Sequence, residues 1–315
     1  MDIRIPVGTW IADFFDWVEV AFGWFFEPLR SLFLGLYDAV AWVFGTPPAL
    51  VVIALVAVGA LLARGWRFAI GSALGLLFIV GVDQWDNAVA SLSLVLVAAF
   101  LAIAAAVPLG IWAARNDRVS KTLKPILDFL QTLPAFVYLP PALALLRIGV
   151  APAVIATFIF AIAPGVRLTE LGIRGVDKEV VEAGQAFGAH PRRILRQIQL
   201  PLAMPSIMAG VNQVIMLSLS MVVIAAMVGA PGLGQDVVQS ISALNVGLGF
   251  EAGLSVVVLA ILLDRFTASF GKGMGLYSTW RRRRLAQREA DEQARFDAEI
   301  LEVGGPRRSP GGLGG

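Results

Sequence analysis

The stretch VDKEVVEAGQAFGAHPRRILRQIQLPLAMPSI, Val176 to Ile207, decides how the rest of the chain reads. It is the longest polar interruption between hydrophobic segments, yet it carries helical periodicity of its own. Val176, Val180, Ala183 and Phe187 recur at i, i+4, i+7 and i+11, the spacing of one helix face. Asp177, Lys178, Glu182 and Gln185 fall mostly on the other face. Gly188 suits a helix end, and Pro191 suits the first turn of a second helix. In that helix Arg192, Arg193 and Arg196 share a side, opposite Ile194, Leu195 and Ile198. A helix-turn-helix that is half apolar and half charged, held at a membrane surface, predicts docking into another protein.

The setting comes from composition. Of 315 residues, 57% are hydrophobic and 15% charged, and the mean hydropathy is +0.77. A soluble domain averages about 45–50% apolar and about 25% charged, so the chain reads as a polytopic, all-α membrane protein. The net charge of +2 says less than where the charges lie. With no cysteine, disulfides, thiolate nucleophiles and cysteine-ligated metals are excluded. His190, the single histidine, makes no metal cluster alone, so neither a metal nor a catalytic site is expected. The acidic N-terminus lacks the basic start of a cleavable signal peptide. No internal repeat is visible, and nothing points to nucleic-acid binding.

Seven apolar segments follow one another: Pro47–Leu62, Phe68–Val82, Ala88–Ala113, Pro125–Leu146, Ala151–Leu171, Ala203–Val228 and Glu251–Phe270. Each is expected to span a bilayer, although the first two sit near the short limit for about 30 Å of hydrocarbon. Basic residues collect in alternate loops: Arg64 and Arg67; Arg115, Arg118, Lys121 and Lys124; Arg174, Lys178, Arg192, Arg193 and Arg196; and Arg281–Arg284. The segment 229–249 on the other side has neither Lys nor Arg. That bias predicts an outside N-terminus and an inside C-terminus. Trp66, Trp85, Trp112 and Trp280 then fall at the interfaces.

Residues 1–46 are aromatic-rich but interrupted by Asp13, Asp16, Glu19, Glu27 and Asp38. Because a mid-bilayer charge costs about 2.5–3.5 kcal/mol, they read as one or two amphipathic helices in the interface; a first span is the alternative. The division expected is an N-terminal interfacial part (1–46), two peripheral spans (47–84), a core (85–272) with a cytoplasmic loop (174–202), and a charged tail, partly disordered (273–315).

Within the loop, Glu182-Ala183-Gly184, three residues, Gly188, nine residues, and Ile198-x-Leu200-Pro201 reproduce the EAA signature of importer-type ABC transporter permeases, with Gly184 replacing the second alanine. QTLPAFVYLPPALALLRIG (Gln131–Gly149), RLTELGIRGV (Arg167–Val176), Gln199–Gln235 and ILLDR (Ile261–Arg265) carry the likeness across roughly 85–272. Over that core the chain resembles the glycine betaine/proline betaine permeases of the ProW/OpuAB type. The resemblance implies a type I importer permease fold in the inner membrane of a prokaryote. It also implies a homodimer of this subunit, two cytoplasmic ATPases that bind the ATP and Mg, and a separate extracytoplasmic binding protein. The cargo implied is an osmoprotective betaine; choline, carnitine or another small nutrient stays open. A stand-alone channel or secondary transporter and a membrane enzyme are the rival classes. No GxxxxGK[ST] motif occurs, so ATP hydrolysis belongs to another chain.

On this reading helix 176–188 is the coupling helix, with Val180, Ala183, Gly184, Phe187 and Gly188 as its docking face. Glu182 caps or pairs with a neighbouring basic group, while Ile198, Leu200, Pro201 and Pro205 carry displacement into the next span. Gln131, Thr132, Asn212, Gln213, Ser218 and Ser220 are polar residues within spans. They line a translocation path or hydrogen-bond between helices; both readings stand. Pro134, Pro140, Pro141 and Pro164 predict broken or kinked helices nearby. Phe136 and Tyr138 offer π faces to a quaternary ammonium, or simply pack. Arg167 with Glu170 reads as a local ion pair, and Asp264 with Arg265 as an interfacial ion pair or a lipid headgroup contact. Arg281–Arg284 reads as a topology determinant touching anionic lipid or as an ionic-strength sensor, and His190 as a surface residue.

Overall fold

The computed structural model describes residues 6–271; the expected tail, with Trp280 and Arg281–Arg284, lies outside the described residues. Those described form helices and turns, with no strand among them. A single helix α1 (Val7–Gly45) replaces the one or two expected at the N-terminus. It is followed by a hairpin of α2 (Ala49–Arg64) and α3 (Trp66–Gly81). Gly65, at φ +92°, makes the turn between them. Then come α4 (Trp85–Arg115), α5 (Asp117–Thr132), α6 (Leu139–Leu146) and α7 (Val150–Arg174). The chain continues through α8 (Lys178–Ala186), α9 (Pro191–Ile194), α10 (Leu200–Ala226), α11 (Leu233–Ser242) and α12 (Val246–Gly271).

Trp85–Arg115, Val150–Arg174, Pro191–Ala226 and Val246–Ser269 are long and apolar enough to cross a membrane. The 16-residue α2 and α3 are each about 24 Å long at 1.5 Å per residue. The expected span 125–146 is not one helix. It is α5, a short 3-10 turn at Ala135–Tyr138 and α6, with a bend of 108°. Pro134 lacks an N–H and forces Leu133 before it into an extended conformation, ψ 134°. Pro140 and Pro141 then open α6, where the missing donors cost nothing. By contrast α7 runs unbroken through Pro164. Helix α1 likewise meets α2 at 94°.

At the centre α4, α7 and α10 approach through small residues, as helices must when lipid supplies no hydrophobic drive. A Cβ added to Gly165 would lie 2.8 Å from the Ala106 Cβ and 2.9 Å from Val214 Cγ2. Gly110 faces Thr169, and Gly172 faces Ser206, at similar range. Leu127, the buried residue of α5, joins this cluster with Ala102, Ala106, Val166 and Val214. A second cluster seats Phe33 and Tyr37 of α1 against Leu94, Leu139, Val154 and Met221. Arg147 (Nη2) adds an ion pair to Glu27 at 2.8 Å. Helix α11 folds back beside α4: Leu233 N donates to Ser91 Oγ at 2.8 Å, and Asn87 Nδ2 to Asp236 Oδ2 at 2.7 Å. α3 lies along α12, with the rings of Phe68 and Phe266 edge-on at 5.4 Å.

The crossing at Gly165 predicts its own sensitivity. Gly165→Leu is expected to destabilise by about 1–3 kcal/mol or more, as overpacking does, and to lower the melting temperature in detergent. Gly35→Ala, where an added Cβ meets nothing within 4 Å, is expected to leave it unchanged.

Candidate functional site

The loop after α7 is built on one arginine. Arg174 Nη2 lies 2.8 Å from Asp117 Oδ1 and also donates to the Ala113 carbonyl at 2.8 Å, while Nε lies 2.9 Å from Glu170 Oε1. The base of the loop is thereby tied to the end of α4 and the start of α5. Val176 is buried beside Ile173, Ala203 and Ile207. Asp177 caps α8, its Oδ1 accepting from Glu179 N at 2.9 Å. α8 therefore begins at Lys178 and ends at Ala186, two residues inside the expected limits on each side. Gly188, at φ +74°, donates its N–H to Gln185 O at 2.8 Å and reverses the chain.

His190 then caps the next helix, its Nδ1 accepting from Arg192 N at 3.3 Å, with Pro191 in the first turn. That role was not expected of a surface residue; the signal was its position directly before a proline at N1. A π-helical turn, Leu195–Gln199, joins α9 to α10. The two limbs close on Gly184: a Cβ there would lie 2.8 Å from Ile198 Cδ1 and 3.6 Å from Ile194 Cγ1. Gly184 thus belongs to the inside of the hairpin and not to the outer face on which it was expected. The spacing between the two ends of the signature is the spacing that lets Gly184 receive Ile198. Leu200 packs beneath, and Pro201 is exposed in the first turn of α10.

What remains outside is an apolar face with nothing on it. Val180 is 42% and Phe187 92% exposed, and Ala183 lies between them. Glu182 forms no ion pair among the described residues. It borders a cavity of about 490 Å³ shared with Arg115, Arg174 and Lys178. Arg192, Arg193 and Arg196 are exposed, and Ile194 is buried, as the pattern required.

The polar residues of the spans divide. Ser218 is buried and donates to Val214 O at 2.8 Å. Asn212 bridges α10 and α12: its Nδ2 donates to Asp264 Oδ1 at 3.0 Å, and its Oδ1 accepts from Thr267 Oγ1 at 2.6 Å. Asp264 is therefore held mainly across the helices, with Arg265 Nε looser at 3.8 Å. Tyr138 is buried, its hydroxyl donating to the Leu130 carbonyl and its ring edge-on to Phe160. Gln131, Thr132, Pro134, Phe136, Gln213 and Ser220 are exposed on the single chain. Thr132 and Ser220 return their hydroxyls to Phe129 O and Met216 O. Arg167 pairs with Asp128 of α5, whereas Glu170 takes Arg174. The expected Arg167–Glu170 pair gives way because Glu170 and Arg174 stand i, i+4 and Asp128 reaches Arg167 from another helix.

Comparison with known proteins accords with this geometry. The profile of the family described as "Binding-protein-dependent transport system inner membrane component" matches residues 106–275. The glycine betaine/carnitine transport permease protein GbuB of Listeria monocytogenes is 44% identical over 272 residues, 85% of this chain and 96% of that protein. The glycine betaine transport system permease protein OpuAB of Bacillus subtilis is 42% identical over 264 residues, 84% of this chain and 94% of its own. The glycine betaine/proline betaine permease protein ProW of Escherichia coli is 43% identical over 271 residues, 85% of this chain and 76% of its own. In fold, a chain of the inward-facing MetNI methionine ABC transporter superposes with a TM-score of 0.56 at 20% identity, over 61% of this chain and 96% of that one. With a helical bundle of that fold and relatives matched along most of their length, the chain belongs to the binding-protein-dependent transport system inner membrane components, the permeases of ABC importers.

Proposed function

We propose that this permease carries glycine betaine, proline betaine or a closely related quaternary ammonium solute inward, as the names of its relatives do. The observation that carries the coupling half of the reading is the bare apolar face of α8, Val180, Ala183 and Phe187, on a hairpin tied to the spans through Arg174. Two copies of the chain work with two cytoplasmic ATPases, which bind ATP and Mg and seat α8 in a groove. A separate extracytoplasmic binding protein delivers the cargo. ATP-driven closure of the ATPases displaces α8; Gly184 against Ile198 transmits that motion to α10, a rigid-body switch between two states. The exposed polar residues Gln131, Thr132, Gln213 and Ser220 line the path or the contact between copies, because polar groups at membrane depth avoid hydrocarbon. Phe136, 53% exposed, offers its ring to the ammonium group.

The orientation follows the basic loops, with α8 on the cytoplasmic side. α1 lies in the outer interface, roughly perpendicular to α2, with Trp10, Phe14, Trp17 and Trp24 in lipid, Asp16 and Glu19 toward water and Asp13 at the edge of the apolar face.

Reconstitution of the complete transporter tests the cargo. ATP-dependent uptake of labelled glycine betaine is expected, with competition from proline betaine stronger than from choline or carnitine. Uptake without the ATPases would replace this reading with a secondary transporter. Phe187→Asp, at a site 92% exposed, is expected to leave the melting temperature unchanged while cutting ATPase recovery and uptake at least tenfold, about the effect of 1.4 kcal/mol or more at an interface. Normal uptake by that variant would discard the coupling face. Because the chain has no cysteine, single replacements report topology cleanly. Asp16→Cys and Asp83→Cys are expected to react with an impermeant maleimide in intact cells; Lys178→Cys is expected to react only after lysis.

A further inference from the structure

Between α3 and α12 runs a groove of about 190 Å³ lined by Arg67, Phe68, Gly71, Ser72, Gly75, Val258, Ile261 and Leu262. It begins at the turn that carries Arg64 and Arg67. The edge-on pair Phe68–Phe266 lies at that end, and at the other Gly75 approaches Val258 so closely that an added Cβ would lie 2.8 Å from Cγ1. Gly71 is different: an added Cβ would meet nothing within 4 Å, so the space over it is open.

Ser72 is 5% exposed, and its hydroxyl has no hydrogen-bond partner. That is unusual in these helices. Ser93, Ser218, Ser255 and Ser269 all donate to the carbonyl one turn back. A buried hydroxyl without a partner is destabilising, and Ser72 is one of the residues that line the groove, next to the open space over Gly71. The other hydroxyls in that condition, Thr157 and Thr169, are sealed at 0% exposure within the bundle.

We propose that this groove holds one anionic phospholipid of the leaflet that Arg64 and Arg67 face. The guanidinium of Arg67, over the Trp66 ring at 5.5 Å, takes the headgroup phosphate. Ser72 stands five residues further along α3, about 7.5 Å deeper, at the depth of the glycerol esters, and on lipid binding its buried hydroxyl turns toward the groove and donates to an ester carbonyl. One acyl chain lies over Gly71 against Ile261 and Leu262. None of the described residues lining the groove is acidic, which favours phosphatidylglycerol over a zwitterionic lipid. The bound lipid fills the gap between the peripheral hairpin and α12, fastening α2 and α3 to the core.

Native mass spectrometry of the complete transporter, purified and offered equal phosphatidylglycerol and phosphatidylcholine, tests this. The wild type is expected to retain one phosphatidylglycerol per permease chain. Arg67→Gln is expected to reduce the preference about fivefold, the worth of one basic residue at a lipid surface. Ser72→Ala is expected to weaken retention of both lipids. Gly71→Leu, which fills the open space without a clash, is expected to lose that lipid while the complex stays assembled. Wild-type retention by Gly71→Leu would overturn the proposal. So would dissociation of the two copies in that variant, which would make the groove a protein interface, or equal retention of the two lipids by the wild type.

Discussion

The closeness of α4, α7 and α10 at Gly165 is the constraint on which the rest depends. Inside a bilayer, apolar side chains gain nothing by leaving lipid for one another, so helices associate by dispersion and by shape. Gly165 lets Ala106 and Val214 reach its backbone from two sides at once, and Gly110 against Thr169 and Gly172 against Ser206 repeat the device about one and two turns further along α7. α4, α7 and α10 become one unit. The elements around it, α1, α5, α6 and α11, pack against it and carry polar contacts besides: Glu27–Arg147, Asp128–Arg167, Asp117–Arg174, Asn87–Asp236 and Ser91 with the Leu233 N–H.

The hairpin of α8 and α9 stands on that unit. Arg174 joins the ends of α4 and α7 to the start of α5, so a load on the hairpin reaches three helices together. The hairpin itself closes through Gly184 and Ile198, fourteen residues apart, and its turn depends on the left-handed conformation of Gly188. Phe187 is left standing in solvent. That exposure, continuous with Val180 and Ala183, is what supports the proposed contact with an ATPase.

Much of this was legible beforehand, for reasons particular residues make plain. Continuous apolar runs announced α4, α7, α10 and α12, since nothing but a helix satisfies its backbone in lipid. The spacing from Glu182 to Pro201 announced the hairpin and the family together. The segment 125–146 misled because its hydropathy is that of a span; its prolines announced a break but not a bend of 108°. Gly184 looked like part of the outer face because helical periodicity places it near Val180, and only the return of Ile198 shows it to be inside. Arg167 and Glu170 looked like partners from their separation alone. Each found another partner, Asp128 on α5 and Arg174 one turn on.

By itself, then, the sequence determined that the chain lives in a membrane, where its long apolar helices lie, where its polar helical hairpin lies, and the family. These are local properties: hydropathy, periodicity, and the backbone demands of proline and glycine act within a few residues of where they are written. The tertiary structure decided what depends on residues far apart in the chain. It turned Gly184 inward, gave Asp128 to Arg167, made Asn212 and Asp264 a bridge between α10 and α12, and left the hydroxyl of Ser72, in the wall of a groove, without a partner. A side chain's partner is set by which helices meet and in what register, and that register follows from close approach at a few small residues whose neighbours no linear pattern names.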